Sequence, residues 1–459
     1  MKKSILTAFA ALLLAVPAAQ AQKVNKEALL AKIEKSNAEV ADAKKGSKAA
    51  TWLKRGKAYY EAAHAPVKDI AQTLTADRWQ LALGDPQKQP EGVILSGMQM
   101  AKLTYPYLNL YVNPQDGKII TWEQTDRVLE GGYEEALASY NKALELEPKQ
   151  QEKVREHLEE LMNAVSQQGN VYKDLGQSRE AGKYYMMASD ILNAPGYGLT
   201  ETEKPQAQFV LSLAGRMFAV DAFMNKDMDS AAKGAECYAT LLNEGYTGQN
   251  GDCYYYLFYC YYCMKDQDPS CVMKAKEALV EGIDKFPTNQ EILKGLIDLY
   301  TKEEGIGDPQ ELVVRLEKTI AEDPQNYELW MGRGILFNSL NNLDESIVSF
   351  SKASELKPEM VDASYYAALS YTLKANAILD ELNNEHQISA ADSDAAMAKA
   401  VENFKAAIPF LEHGFEVNPQ HIENLTLLKE ICFRLRDESD EFAQKFQKYN
   451  ALWKEASGK

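Results

Sequence analysis

Histidine is scarce in this chain. The five residues, at 64, 157, 386, 413 and 421, are scattered. A histidine metal site needs its ligands on one face, and this spread offers no evident one. His413 and His421 stand near Glu412 and Glu423, but Pro419 ends the helix between them, and a shared ligand face is not expected. Basic charge is also in short supply: 50 Lys and Arg stand against 67 Asp and Glu, a net charge of −17. A polyanion needs a basic footprint, so nucleic acid is not an expected partner. The nucleophile elbow, the P-loop, the HExxH pair and the Rossmann glycine fingerprint are all missing. Acids such as Asp392 and Asp394 read as solvated faces and helix caps. The expectation is a non-enzyme with no catalytic residue, no cofactor and no metal site. Beyond the N-terminus, no stretch reads as long and apolar enough to span a membrane.

The chain has 459 residues, 46% hydrophobic and 25% charged, which suffices to bury a sizeable core. Its first residues have a special pattern. Met1-Lys2-Lys3 is a basic start, and Ile5 to Val16 is apolar apart from Thr7. Pro17 then breaks the run before Ala19-Gln20-Ala21. A short apolar core followed by small-x-small predicts a secretory signal cleaved after Ala21. No cysteine follows the cut, so a lipid anchor is not indicated. The mature chain is expected to be periplasmic or secreted.

The rest repeats itself. Trp330, Gly334 and Phe337 fall at i, i+4, i+7 on one helix face. Asn341-Asn342 makes a turn, and Ser346, Phe350 and Ala353 repeat the spacing on a second helix that Pro358 helps stop. Pro324 ends the preceding run 34 residues earlier. Gly169, Tyr172, Ala181, Tyr185 and Ala188 form another unit around Leu175-Gly176. Tyr133, Ala136, Tyr140, Ala143 and Pro148 form a second helix whose first helix lies far upstream, at Trp52, Gly56 and Tyr59.

This pattern resembles the tetratricopeptide repeat, a helix–turn–helix unit with W-x2-L-G-x2-Y, then A-x3-F, then P. Arg333 stands at the Leu place and Ser346 at the Ala place. The resemblance implies an all-α, right-handed α-solenoid of about seven units. It also implies a concave surface that recognises proteins.

Insertions interrupt the array. The segment at about 61–130 splits the first unit (49–148). Within it, Leu108–Val112 and Lys118–Trp122 read as a β-hairpin around Asp116-Gly117. A second insert, at about 372–403, extends the array of 149–419. Ala363–Leu382 and Ser393–Val417 read as two long helices, with a kink or break expected near Ile408 because of Pro409. Residues 22–48 read as an N-terminal capping helix. Residues 420–459 read as C-terminal caps, with Phe442, Phe446, Tyr449 and Trp453 closing the last face.

Six cysteines, at 237, 253, 260, 263, 271 and 432, leave three readings open: buried thiols, a disulfide that joins Cys271 to Cys263 or Cys260, or a metal. The aromatic run Tyr254–Tyr262 has strand propensity, but its place in the array favours a helix.

In the register of Trp330, Gly334 and Phe337, the next residue around the helix faces the groove. This gives Met331, Ile335 and Asn338. The same step gives Tyr365, Leu369 and Thr372 one repeat later, and Leu53, Lys57 and Tyr60 in the first unit. The expected function is a scaffold that holds a protein or peptide partner in this groove, outside the cytoplasm, with an envelope complex as its setting. The alternative is a carbohydrate- or small-ligand-binding accessory protein, suggested by 25 tyrosines and a secretory leader.

Overall fold

The computed structural model describes residues 24–384 and 389–457. The expected leader and its cleavage point near Ala21 lie outside them. Helix α1 (Lys26–Ala41) and α2 (Ala49–His64) come first. An insert follows, made of α3 (Ala76–Leu83), β1 (Glu91–Leu95), β2 (Met98–Thr104), β3 (Leu108–Val112) and β4 (Ile119–Gln124). The array then continues through α4 (Gly132–Leu146), α5 (Gln151–Asp174), α6 (Ser178–Leu192), α7 (Lys204–Asn225), α8 (Met228–Asn243) and α9 (Asp252–Cys263). Next come α10 (Ser270–Lys285), α11 (Gln290–Lys302), α12 (Gln310–Glu322), α13 (Tyr327–Ser339) and α14 (Leu343–Leu356). The last four are α15 (Val361–Asn384), α16 (Ala390–Val417), α17 (Ile422–Arg434) and α18 (Asp440–Ser457). Short polar residues start several of these helices by accepting an otherwise unpaired backbone N–H. Asn25 accepts from Ala28, Asp227 from Ser230, and Asn326 from Glu328.

The chain forms two compact units, one of residues up to 249 with 259–271, the other of residues 250–258 with 272–459. In the first, α2 packs on α4 across the whole insert, as the upstream Trp52-Gly56-Tyr59 pattern requires. The insert has its own core of Trp79, Leu103, Leu108, Leu110, Ile119 and Trp122, all nearly inaccessible to solvent. The expected hairpin is present, closed by Asn113 N–H donating to the Lys118 carbonyl at 2.9 Å. It is half of a four-stranded antiparallel sheet in the order β1-β2-β3-β4. The additional strands turn at Ser96-Gly97, where both residues have positive φ. In the second unit, α13 to α16 pack in succession, and α17 and α18 close on the same buried cluster through Tyr449, Phe446 and Trp453.

The repeat glycines serve as contact points. A side chain on Gly334 would meet the Phe350 ring at 2.6 Å. The same relation holds for Gly56 with Tyr140 and for Gly169 with Tyr185. Alanine is the better helix former by about 1 kcal/mol. Even so, Gly334→Ala is expected to destabilise by about 1–3 kcal/mol, because Phe350 is itself buried and has no room to retreat. A urea midpoint equal to or above that of the native chain would refute the contact.

The two departures from the repeat pattern have physical reasons. Ser346 donates to the Gly334 carbonyl or shares a proton with Ser370, at 3.1 and 3.0 Å, so a hydroxyl in place of a methyl is satisfied in the core. The Arg333 guanidinium donates to Ser349 and Glu345, both at 2.7 Å, and lies over the Phe337 ring. Arg55 does the same with Ser139, Glu135 and the Tyr59 ring. In both units a charged fork takes the leucine position and ties the two helices of the hairpin together.

Three expectations are corrected. Helix α16 runs unbroken through Pro409; Phe404, Ala407, Ile408 and Leu411 on both sides are buried in one cluster, which holds the helix past its missing hydrogen bond. Trp330 is half-buried rather than enclosed between helices, with its indole N–H donating to the Pro324 carbonyl at 2.9 Å. Helix α7 is long and apolar enough by composition to cross a membrane, contrary to the sequence expectation, yet half of it is buried among α6 and α8.

Candidate interaction surface

Helix α7 is apolar on two faces. Ala207, Val210, Ala214, Phe218 and Ala222 are buried against its neighbours. The opposite face carries Phe209, Val220, Phe223 and Met224, which are 53%, 38%, 53% and 69% exposed. Their spacing places them along one side, with half-buried Leu213 and exposed Arg216 between them. The Phe223 ring tilts against Tyr259 at 5.7 Å, and Lys226 Nζ stands 5.2 Å above it. A helix apolar all round is ordinarily enclosed. Here one side is uncovered, and an exposed apolar patch of this kind marks a contact surface.

The stripe shares the register of the residues expected to line the groove. Gly215 packs on the Tyr238 ring as Gly334 does on Phe350, so Arg216 is the counterpart of Ile335 and of Lys57. Sequence reasoning missed α7. Its glycine and aromatic stand 23 positions apart, whereas Gly334 and Phe350, like Gly169 and Tyr185, stand 16 apart. The signal that finds it is the Gly215–Tyr238 pairing.

The nine expected groove residues divide between the units. Leu53, Lys57 and Tyr60 lie on α2, with Lys57 exposed and the other two half-buried. Met331, Ile335 and Asn338 lie on α13, and Tyr365, Leu369 and Thr372 on α15. Met331 and Thr372 are buried, at 8% and 7% exposure, with Met331 in the core beside Tyr327 and Phe350. Ile335, Asn338, Tyr365 and Leu369 are half-buried. Leu369 and Ile335 thus offer apolar area that Met331 does not.

All six thiols are free, and all but Cys263 are buried. Burial pushes Cys237 and Cys253 up to about 12 and Cys432 up to about 11, so these groups are protonated and unreactive at neutral pH. Among the described residues, no group of three or more His, Cys, Asp or Glu is arranged to hold a metal ion. The aromatic run forms helix α9, with Tyr254, Leu257 and Phe258 buried as packing residues.

The tetratricopeptide repeat family model matches residues 130–150. Among solved structures, a TPR repeats protein from Bacteroides fragilis is similar at 15% identity, over 59% of this chain and 97% of that one, with a TM-score of 0.29. YrrB, a TPR protein with an unusual peptide-binding site, is similar at 15% identity over 62% of this chain and 96% of its own, with a TM-score of 0.25. A monomeric mutant of IFIT1 with Gppp-AAAA is similar at 13% identity over 70% and 68%, with a TM-score of 0.31. No curated protein matches this chain.

Proposed function

We propose, from the premise that this chain is a tetratricopeptide-repeat protein, that it is a non-enzymatic scaffold that holds a protein partner outside the cytoplasm. The partner seats on the open face of α7. The observation that supports this is the uncovered stripe of Phe209, Val220, Phe223 and Met224, on a helix whose other face is already packed. Aromatic anchors of this kind carry most of the energy of an interface. Lys226 stands over the Phe223 ring at one end of the stripe, so the complementary surface is apolar with an acidic edge there.

A photo-crosslinking residue at position 220 in the native cell should give one dominant adduct. Phe209→Ser with Phe223→Ser should remove it, with a loss of affinity of about thirtyfold or more, on the order of 2 kcal/mol. Both side chains are exposed, so helix content and melting should stay unchanged. An adduct that survives the pair places recognition elsewhere in the array. The leader is tested separately, by N-terminal sequencing of the extracytoplasmic chain. Gln22 is the expected first residue, and retention of Met1 would refute export through this segment.

A further inference from the structure

A second surface, apart from the α7 stripe, has different chemistry. Tyr60 and His64, one turn apart on α2, stack with ring centroids 5.3 Å apart and planes 14° from parallel. This pair forms the wall between two cavities of the first unit. On one side lies a space of about 520 Å³ floored by Leu29, Ile70 and Leu83. On the other, the pair faces the polar side of α5 across a cleft of about 500 Å³ lined by Glu160, Asn163, Gln167 and Asn170.

The polar atoms of that cleft are largely unspent. His64 Nδ1 is engaged by the Tyr133 hydroxyl at 3.1 Å, which leaves Nε2 without a partner among the described residues. The Tyr60 hydroxyl and the Asn163 amide make no hydrogen bond among the described residues. Gln167 donates its amide N–H to the Ile70 carbonyl and keeps its oxygen free; Asn170 accepts from Tyr185 and keeps its NH2 free. Burial holds the His64 imidazole below its ordinary pKa, so it is neutral at pH 7, with one donor and one acceptor nitrogen. Glu160, with Oε2 3.7 Å from His157 Nδ1 and its other oxygen unpaired, is the formally charged side chain of the lining among the described residues.

This inventory selects a ligand class. With no cation in the lining, the cleft has nothing to hold a carboxylate or a phosphate. Amides and a neutral imidazole both give and take hydrogen bonds, and a carboxylate accepts two from neighbouring hydroxyls. The ring pair adds apolar surface at one edge. A ligand that suits all three has a hydroxyl-rich rim and an apolar C–H face. An extended peptide offers one backbone N–H at a given point and no vicinal pair for Glu160. We infer that the cleft between α2 and α5 is a binding subsite for a neutral saccharide, with its C–H face against the Tyr60–His64 pair and its hydroxyls on Glu160, Asn163 and Asn170.

Titration calorimetry of the full mature chain tests this, with a panel of neutral α- and β-linked disaccharides, a capped tetra-alanine peptide and choline as probes. At least one disaccharide is expected to bind. Asn163→Ala and Tyr60→Ala should each weaken it by up to about tenfold, the loss expected for one hydrogen bond or one contact face. Tyr60→Phe, which keeps the ring, should lose less than Tyr60→Ala. Asn163 is exposed, so its variant reports on binding even if Tyr60→Ala proves unstable. The Phe209→Ser and Phe223→Ser pair should leave saccharide binding unchanged, which separates this site from the protein-binding stripe. Failure of every disaccharide to bind, binding of the peptide or choline in their place, or saccharide binding indifferent to Asn163→Ala would each overturn the inference.

Discussion

Trp79→Ala is expected to unfold the insert while the helical array stays intact. Trp79 is 0% exposed on α3 and packs among Leu103, Leu110, Ile119 and Trp122. Its indole N–H donates to the Gly117 carbonyl at 2.8 Å and so ties α3 to the β3–β4 turn. Truncating a buried tryptophan costs ~3–5 kcal/mol. The orphaned carbonyl adds ~1 kcal/mol more. The core of a small four-stranded sheet with one short helix has little reserve to absorb such a loss. The array has its own contacts: α2 reaches α4 through Gly56 and Tyr140, without passing through the sheet. Amide exchange across β2, β3 and β4 should therefore accelerate to the unfolded rate, with α4 to α8 still protected. Loss of protection in both at once would show that the insert and the first repeat fold as one unit. Unchanged protection in β3 would mean that Trp79 does not hold the sheet.

The helical hairpins were legible because each repeats one physical solution: a glycine on one helix, an aromatic on the next, and a turn between. Trp330, Gly334, Phe337 and Phe350 display it at fixed spacing, and so do Gly169 and Tyr185. The first unit was legible although Tyr59 and Tyr133 stand 74 positions apart, because they carry matching halves of the pattern. The β3–β4 hairpin was announced by Asp116-Gly117 between two apolar runs. The β1–β2 hairpin was not, because β1 is largely exposed and its residues Glu91-Gly92-Val93-Ile94-Leu95 lack the alternation of a half-buried strand. Its one local signal is Ser96-Gly97, a two-residue turn with both φ angles positive.

The candidate surface was less legible than the fold. In the register set by the repeat glycines, Lys57, Ile335 and Arg216 have solvent access. Two other positions of the same register have none: Met331 turns into the core beside Phe350, and Thr372 donates to the Ala368 carbonyl at 2.8 Å and is buried. Position on a helix fixes a direction. Whether that direction meets solvent depends on the neighbouring helix, and no single stretch of sequence contains that information. The α7 stripe shows the converse. Phe209, Val220 and Phe223 read as core by composition and are exposed only because α6 and α8 cover the other side.

The buried thiols and phenols predict a steep loss of stability in alkali. Burial raises Cys237 from its ordinary 9.0 to about 12, and Cys253 likewise. Burial also raises Tyr185 and Tyr327 to about 12. Each of these groups holds its proton more tightly in the folded chain than in the unfolded one. The unfolded state therefore releases protons first as pH rises, and the equilibrium moves toward it. The stabilisation is complete below about pH 9 and drains away as pH climbs toward 12. A shift of about three units on a fully buried thiol corresponds to an effect on the order of 4 kcal/mol when fully expressed. Urea midpoints should fall little between pH 7 and 8.5 and sharply between pH 9.5 and 11. Cys237→Ala with Cys253→Ala should flatten that decline, because alanine has no proton to lose, while it lowers the midpoint at pH 7 through the small cavities it leaves. A midpoint that stays level to pH 11 in the native chain would mean that these thiols titrate freely, and hence that α8 and α9 open to solvent well below the unfolding transition.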